Sequence, residues 1–221
     1  MTSWTHLLDA PQLLALAAAL GWASGIRLYA VVFMVGMSGA MGWVPLPPGL
    51  LVLQQPALLV ASGAMLVTEF FADKIPLVDS LWDMVHTVVR IPAGAALAAG
   101  ALGGLGGLDG SSATVTTLAA LMGGTLAATA HATKLTTRAV VNTSPEPFSN
   151  LLVSLLEDGL VVVGIWLALN HPVIFGIALL GVLIASVVLL ISLFKVLRAV
   201  VLRIGRVFSG TVRSDSITLR S

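Results

Sequence analysis

The stretch Asn150–Leu197, NLLVSLLEDGLVVVGIWLALNHPVIFGIALLGVLIASVVLLISLFKVL, decides the fold. It holds two apolar runs, each near the ~20 residues that a helix needs to cross the hydrocarbon core of a bilayer. Asn170-His171-Pro172 separates them as a tight turn. The runs are continuous. A membrane β-barrel would show alternating segments of about ten residues instead, so these are helices. Glu157 and Asp158 interrupt the first run, with Leu151–Leu156 before them and Gly159–Leu169 after them.

The rest of the chain has the same character. Of 221 residues, 57% are hydrophobic and 10% charged, against about 25% charged in a soluble domain. The deficit extends over most of the chain, which excludes one anchor on a soluble body. Abundant Gly and Ala suit helices packed closely in lipid. Six spans are expected, at residues 11–43, 57–73, 80–108, 113–141, 150–169 and 172–197. The first is long enough to be tilted or broken; Gly21 and Gly25 sit inside it, and Arg27 follows directly. Pro45, Pro47, Pro48, Gly49 and Pro56 mark a loop; Pro76, and then Pro145 with Pro147, mark two further breaks. The fold class is therefore all-α and polytopic. We read a transmembrane domain over residues 1–197, with halves 11–108 and 113–197, and a basic cytoplasmic tail over 198–221. Six spans permit two inverted three-helix repeats. SGIRLYA, Ser24–Ala30, aligns with HATKLTT, His131–Thr137, setting Arg27 against Lys134.

The loops Val44–Pro56, Asp109–Ser112 and Asn170–His171 carry no Lys or Arg. The other side carries Lys74, Arg138, Lys195, Arg198, Arg203 and Arg206. The positive-inside rule then puts both termini in the cytoplasm. Met1–Ala10 lacks the basic opening of a signal peptide, so the first helix is expected to be retained. The chain has no cysteine, which removes disulfides, thiolate chemistry and Cys-ligated metals. A net charge of +1 gives no reason to expect nucleic acid as a partner. Membrane lipids are the expected partners, with the tail on anionic headgroups. Gly100–Gly104 and Gly103–Gly107 have GxxxG spacing, fitting a contact within the chain or a homo-oligomer seam.

Ionisable groups inside a bilayer are costly and face protein or water, so they mark function. At ~100° per residue, Glu69 and Asp73 share a face, as do Asp79, Asp83, His86 and Arg90. His131, Lys134, Arg138 and Asn142 form a third stripe. Asn150, Ser154 and Glu157 form a fourth, with Asp158 at its edge, while Arg27 stands almost alone. The acids Glu69, Asp73, Asp79, Asp83, Glu157 and Asp158 number six; the bases Arg27, Lys74, Arg90, Lys134 and Arg138 number five. Three readings stand side by side. The stripes line the path of a small transporter or channel-like carrier. Alternatively Asp79, Asp83 and His86 hold a divalent cation for an intramembrane enzyme acting on lipid or prenyl phosphates. No other cofactor is suggested, and Asp79 can equally be a helix N-cap. In the third reading the charges are a structural ion-pair network in a non-catalytic scaffold.

Glu69, Ala72-Asp73-Lys74-Ile75-Pro76, Asp79, Asp83, His86, Arg90, Pro92 and Gly94, followed by Asn150, Ser154 and Glu157-Asp158, resemble a bacterial membrane family known as domain of unknown function 4126. The resemblance covers residues 18–172. It implies a helical protein of the bacterial cytoplasmic membrane, picks out these residues, and implies no activity.

Overall fold

The computed structural model of the chain describes residues 8–75, 77–103, 111–142 and 147–215. Among these the chain forms six α-helices: α1 (Ala10–Ala40), α2 (Pro56–Ala72), α3 (Val78–Leu102), α4 (Ser111–Val141), α5 (Pro147–Asn170) and α6 (Pro172–Asp215). Five of them, all but α2, are long and apolar enough to cross a membrane. A 3-10 helix, Pro48–Gln54, runs into α2 with a bend of 70°, and the pair makes a sixth span if taken as one broken element. The protein is an all-α, polytopic membrane protein. His6, Pro76, Gly104, Gly107 and Pro145 lie outside the described residues.

Local chemistry accounts for the helix starts. Asp9 caps α1: its carboxylate accepts from Gln12 N at 2.8 Å while Gln12 Oε1 accepts from Asp9 N at 3.0 Å. Helices α2, α5 and α6 begin at Pro56, Pro147 and Pro172, where the missing N–H is one that a helix end would leave unpaired. Two expectations need correction. The proline-marked loop contains the 3-10 helix, because Leu50 and Leu53 turn inward and are buried. Its close approach needs Gly49, where a methyl would stand 2.8 Å from Gly100 Cα. Gly100 thus serves a contact within the chain. Asp79 is also not a cap: Leu77 holds that place, in a left-handed conformation (φ 73°), and Asp79 lies in the first turn. Helix α6 continues without a break past residue 197.

Helix α1 runs through the middle and packs on each of the other five, while α6 lies outside against α1, α4 and α5. The centre is a seam of small residues where α1, α3 and α4 meet. A methyl on Gly21 would stand 2.6 Å from Gly123 Cα, and one on Gly94 2.6 Å from Ala127 Cβ. Such contact lets van der Waals packing hold helices that lipid does not push together. It also sets the site. Arg27 lies six residues beyond Gly21 on α1, Arg90 one turn before Gly94 on α3, and His131 one turn after Ala127 on α4. The seam therefore delivers these three polar groups to one level. By contrast, α5 packs on α1 but barely touches α4, and among the described residues it does not pack on α2. Clefts remain on both sides of α5.

Candidate functional site

Beyond the glycine seam, the eleven charged side chains of the stripes join into one network. Asp73, at the end of α2, is its hub: Oδ2 lies 2.7 Å from Arg27 Nη1, 2.7 Å from Lys134 Nζ and 4.0 Å from Arg138 Nη2. Arg90 bridges Glu69 Oε1 and Asp83 Oδ1, both at 2.6 Å. Lys134 also reaches Asp83 at 3.1 Å and Glu157 at 3.7 Å. Arg138 holds Glu157 Oε2 at 2.7 Å, approaches Asp79 at 3.6 Å and donates to Asn150 Oδ1. Asp158 meets Arg27 Nε at 3.0 Å and Lys74 at 3.9 Å. Arg27, Arg90 and Arg138 are among the largest fully buried side chains. Of the two acids inside α5, Glu157 thus pairs with Arg138 and Asp158 with Arg27.

Break and network are one construction. Helix α1 is interrupted at Arg27 (φ −142°, ψ 74°). Irregular backbone at membrane depth requires other protein groups to satisfy it. Lys134 Nζ donates to Ile26 O at 3.2 Å, and His131 Nδ1 lies 3.2 Å from Gly25 O. Thr87 Oγ1, which donates to Asp83 O at 3.0 Å, lies 2.7 Å from His131 Nε2. Arg90 Nη1 lies 3.3 Å from His131 Nδ1. His86 stands at the edge. Its Nδ1–H donates to Trp82 O at 2.8 Å, and its ring stacks on Trp82 and meets Tyr29 edge-on. Asn142 donates to Asp79 at 3.1 Å. Ser154 accepts from Arg27 at 2.8 Å and Lys74 at 3.4 Å. Lys74, in the turn after α2, lies 3.0 Å over the Phe70 ring. Burial pushes its ammonium below the usual lysine range, against the opposite pull of Asp158.

Sequence reasoning missed Tyr29, Thr87 and the carbonyls of Gly25 and Ile26. Thr87 carried a signal, since it lies four residues from Asp83. The carbonyls carried none, because no proline marks the break. Among the described residues, no three His, Asp or Glu side chains come together as metal ligands. Asp79 is engaged with Arg138 and Asn142, Asp83 with Arg90 and Lys134, and His86 with Trp82 O.

Two features give the site chemical potential. The network holds six carboxylates against five cations; Glu69 Oε2, Asp73 Oδ1 and Asp83 Oδ2 are buried with no hydrogen-bond partner among the described residues, and so are the Nε atoms of Arg90 and Arg138. It is also nearly sealed: Glu69, Asp73, Asp79 and Asp83 side chains are 0% exposed, whereas Glu157 is 11% and Asp158 28% exposed. Those two acids open to the clefts beside α5. A cleft of about 240 Å³ reaches Glu157 between α4 and α5, and one of about 510 Å³ reaches Asp158 between α2 and α5.

Compared with known proteins, the chain matches neither a curated protein nor a solved structure. Residues 14–192 do match a family, covering nearly the whole bundle and every charged residue of the network, and the chain belongs to that family, described as Domain of unknown function (DUF4126).

Proposed function

We propose that this membrane protein is a small carrier, that the charged network is its substrate or ion site, and that the conformation described is an occluded one. One observation carries the reading: a nearly sealed intramembrane network with one carboxylate in excess. An unbalanced buried charge is costly, so the network favours taking up a positive charge. The break in α1 supports the same reading, since carriers bind ions and substrates where spanning helices are interrupted. The two aligned residues Arg27 and Lys134 hold Asp73 Oδ2 at the same distance, 2.7 Å, which fits two inverted halves meeting at that carboxylate. The Lys and Arg bias puts both termini on the cytoplasmic side of the cytoplasmic membrane. Reporters fused at Ser221 and Gly110 test that orientation: a cytoplasmic signal is expected only at Ser221, and equal signals would refute it.

A static scaffold is the second reading, favoured by the closure of the ion pairs on one another. Proteoliposomes on a solid-supported membrane separate the two. Protons, alkali cations and organic ammonium ions are applied in turn to the wild type and to the charge-neutral double variant Arg138→Gln/Glu157→Gln. A carrier gives a transient current for at least one ion, and the double variant loses it while remaining folded. No current for any cation, with equal folded yield for both proteins, would leave the scaffold.

A further inference from the structure

The cleft between α4 and α5 has a polar floor inside apolar walls. Leu156 and Leu160 line its mouth and are 57% and 49% exposed. Both lie in the middle of α5, so the mouth opens toward lipid. The floor holds Lys134 and Glu157, flanked by Thr133 and Thr137.

The hydrogen bonds of the floor run one way. Lys134 spends its charge inward on Asp73, Asp83 and Ile26 O, and its side chain is 1% exposed. The Thr133 and Thr137 hydroxyls donate along their own helix, to Thr129 O at 2.8 Å and Thr133 O at 3.0 Å. Their lone pairs are left for a ligand. Arg138 and Lys134 both reach Glu157 through Oε2. No hydrogen bond to Oε1 occurs among the described residues, and the carboxylate retains its exposure toward the cleft. The floor therefore offers acceptors and one accessible carboxylate, backed by a network one positive charge short. A complementary guest brings N–H donors and a positive charge on an apolar body. At ~30 Å³ per water, 240 Å³ equals roughly eight waters, enough for an ammonium head and the first part of a chain whose remainder lies in the bilayer.

We infer that this cleft is a binding site for a long-chain primary ammonium amphiphile, which enters sideways from the lipid and places its head on Glu157. The inference rests on the carrier reading only in making this amphiphile the substrate; binding is tested apart from transport. The probe is dodecylamine carrying a photoactivatable diazirine on its chain, compared with the matched dodecanol and dodecyl phosphate probes. Each is added to the full chain in phosphatidylcholine vesicles, irradiated, and mapped by peptide mass spectrometry. The amine is expected to label the segments around Val153, Leu160 and Val182 at least tenfold above the alcohol. Glu157→Gln should reduce it to the alcohol level and Glu157→Asp should keep most of it. Because Glu157 also holds Arg138, a second variant leaves the network alone: Val153→Trp fills the cleft and should abolish amine labelling. Equal labelling by all three probes would show a plain lipid-facing surface and overturn the proposal. Preference for the phosphate would overturn it too, by showing that Lys134 governs the floor. Amine labelling with no current for any cation would sink the carrier reading and leave the binding site standing.

Discussion

Replacing Arg90 by methionine tests whether the network is a stabilising unit. Arg90 is fully buried and is the only cation bonded to Glu69 by an ion pair in the described residues. Its loss leaves the Glu69 carboxylate buried with neither oxygen paired, since Oε2 already has no partner. Asp83 is less affected, because Lys134 remains 3.1 Å away. Breaking a buried ion pair costs about 3–5 kcal/mol. With Asp83 still paired, the lower end applies, ~3 kcal/mol, or roughly a 150-fold shift in the unfolding constant at 1.4 kcal/mol per decade. Adding Glu69→Gln removes the stranded charge and should return about half of the loss. The assay is reversible unfolding in mixed micelles titrated with dodecyl sulfate, comparing wild type, both single variants and the double. Arg90→Met within ~1 kcal/mol of wild type would refute the unit, given the stated cost of a stranded buried charge. So would a double variant no more stable than Arg90→Met alone.

Leu77 has no side-chain reason for its left-handed conformation, and its side chain is exposed. Such a conformation costs an L-residue about 1–2 kcal/mol, so Leu77→Gly should raise the melting temperature in detergent; a fall would disprove the strain. Gly21 and Gly159 form a contrasting pair. Gly21→Ala forces a methyl to 2.6 Å from Gly123 Cα and should cost about 1–3 kcal/mol through overpacking. Gly159→Ala meets nothing within 4 Å and should gain up to ~1 kcal/mol of helix propensity, read on the same melts. Thiol labelling maps the seal, because the chain has no native cysteine. Asp158→Cys, at a side chain 28% exposed, should react with a small hydrophilic reagent, while Asp83→Cys, at 0%, should resist until the carrier turns over; labelling at Asp83→Cys alone would reverse the assignment of the accessible edge.

The stripes could be read from sequence because two constraints act on them together: helical period fixes which residues share a face, and the bilayer forces each ionisable group inward. Glu69 with Asp73, Asp83 with Arg90, and Lys134 with Arg138 follow from spacing alone. Which acid meets which base does not, because it depends on how each helix is rotated and how deeply it is set. Here both are fixed by Gly21, Gly94 and Gly123, residues that read as ordinary small helix positions. The length of the first span allowed a break, which the structure puts at Arg27, but what holds that break was not legible, for a related reason. Its stability comes from Lys134 on another helix, which donates to Ile26 O, and nothing local forbids a straight helix. That dependence has a consequence for motion. Lys134 simultaneously holds the carbonyl at the break, the hub Asp73 and Asp83, and it lies against Glu157 on the floor of the cleft. A cation arriving at Glu157 competes with Lys134 for that carboxylate and repels its ammonium. Any displacement of Lys134 loosens Asp73 and the break in α1 together. The same side chain that closes the network is therefore placed to sense the charge that would open it.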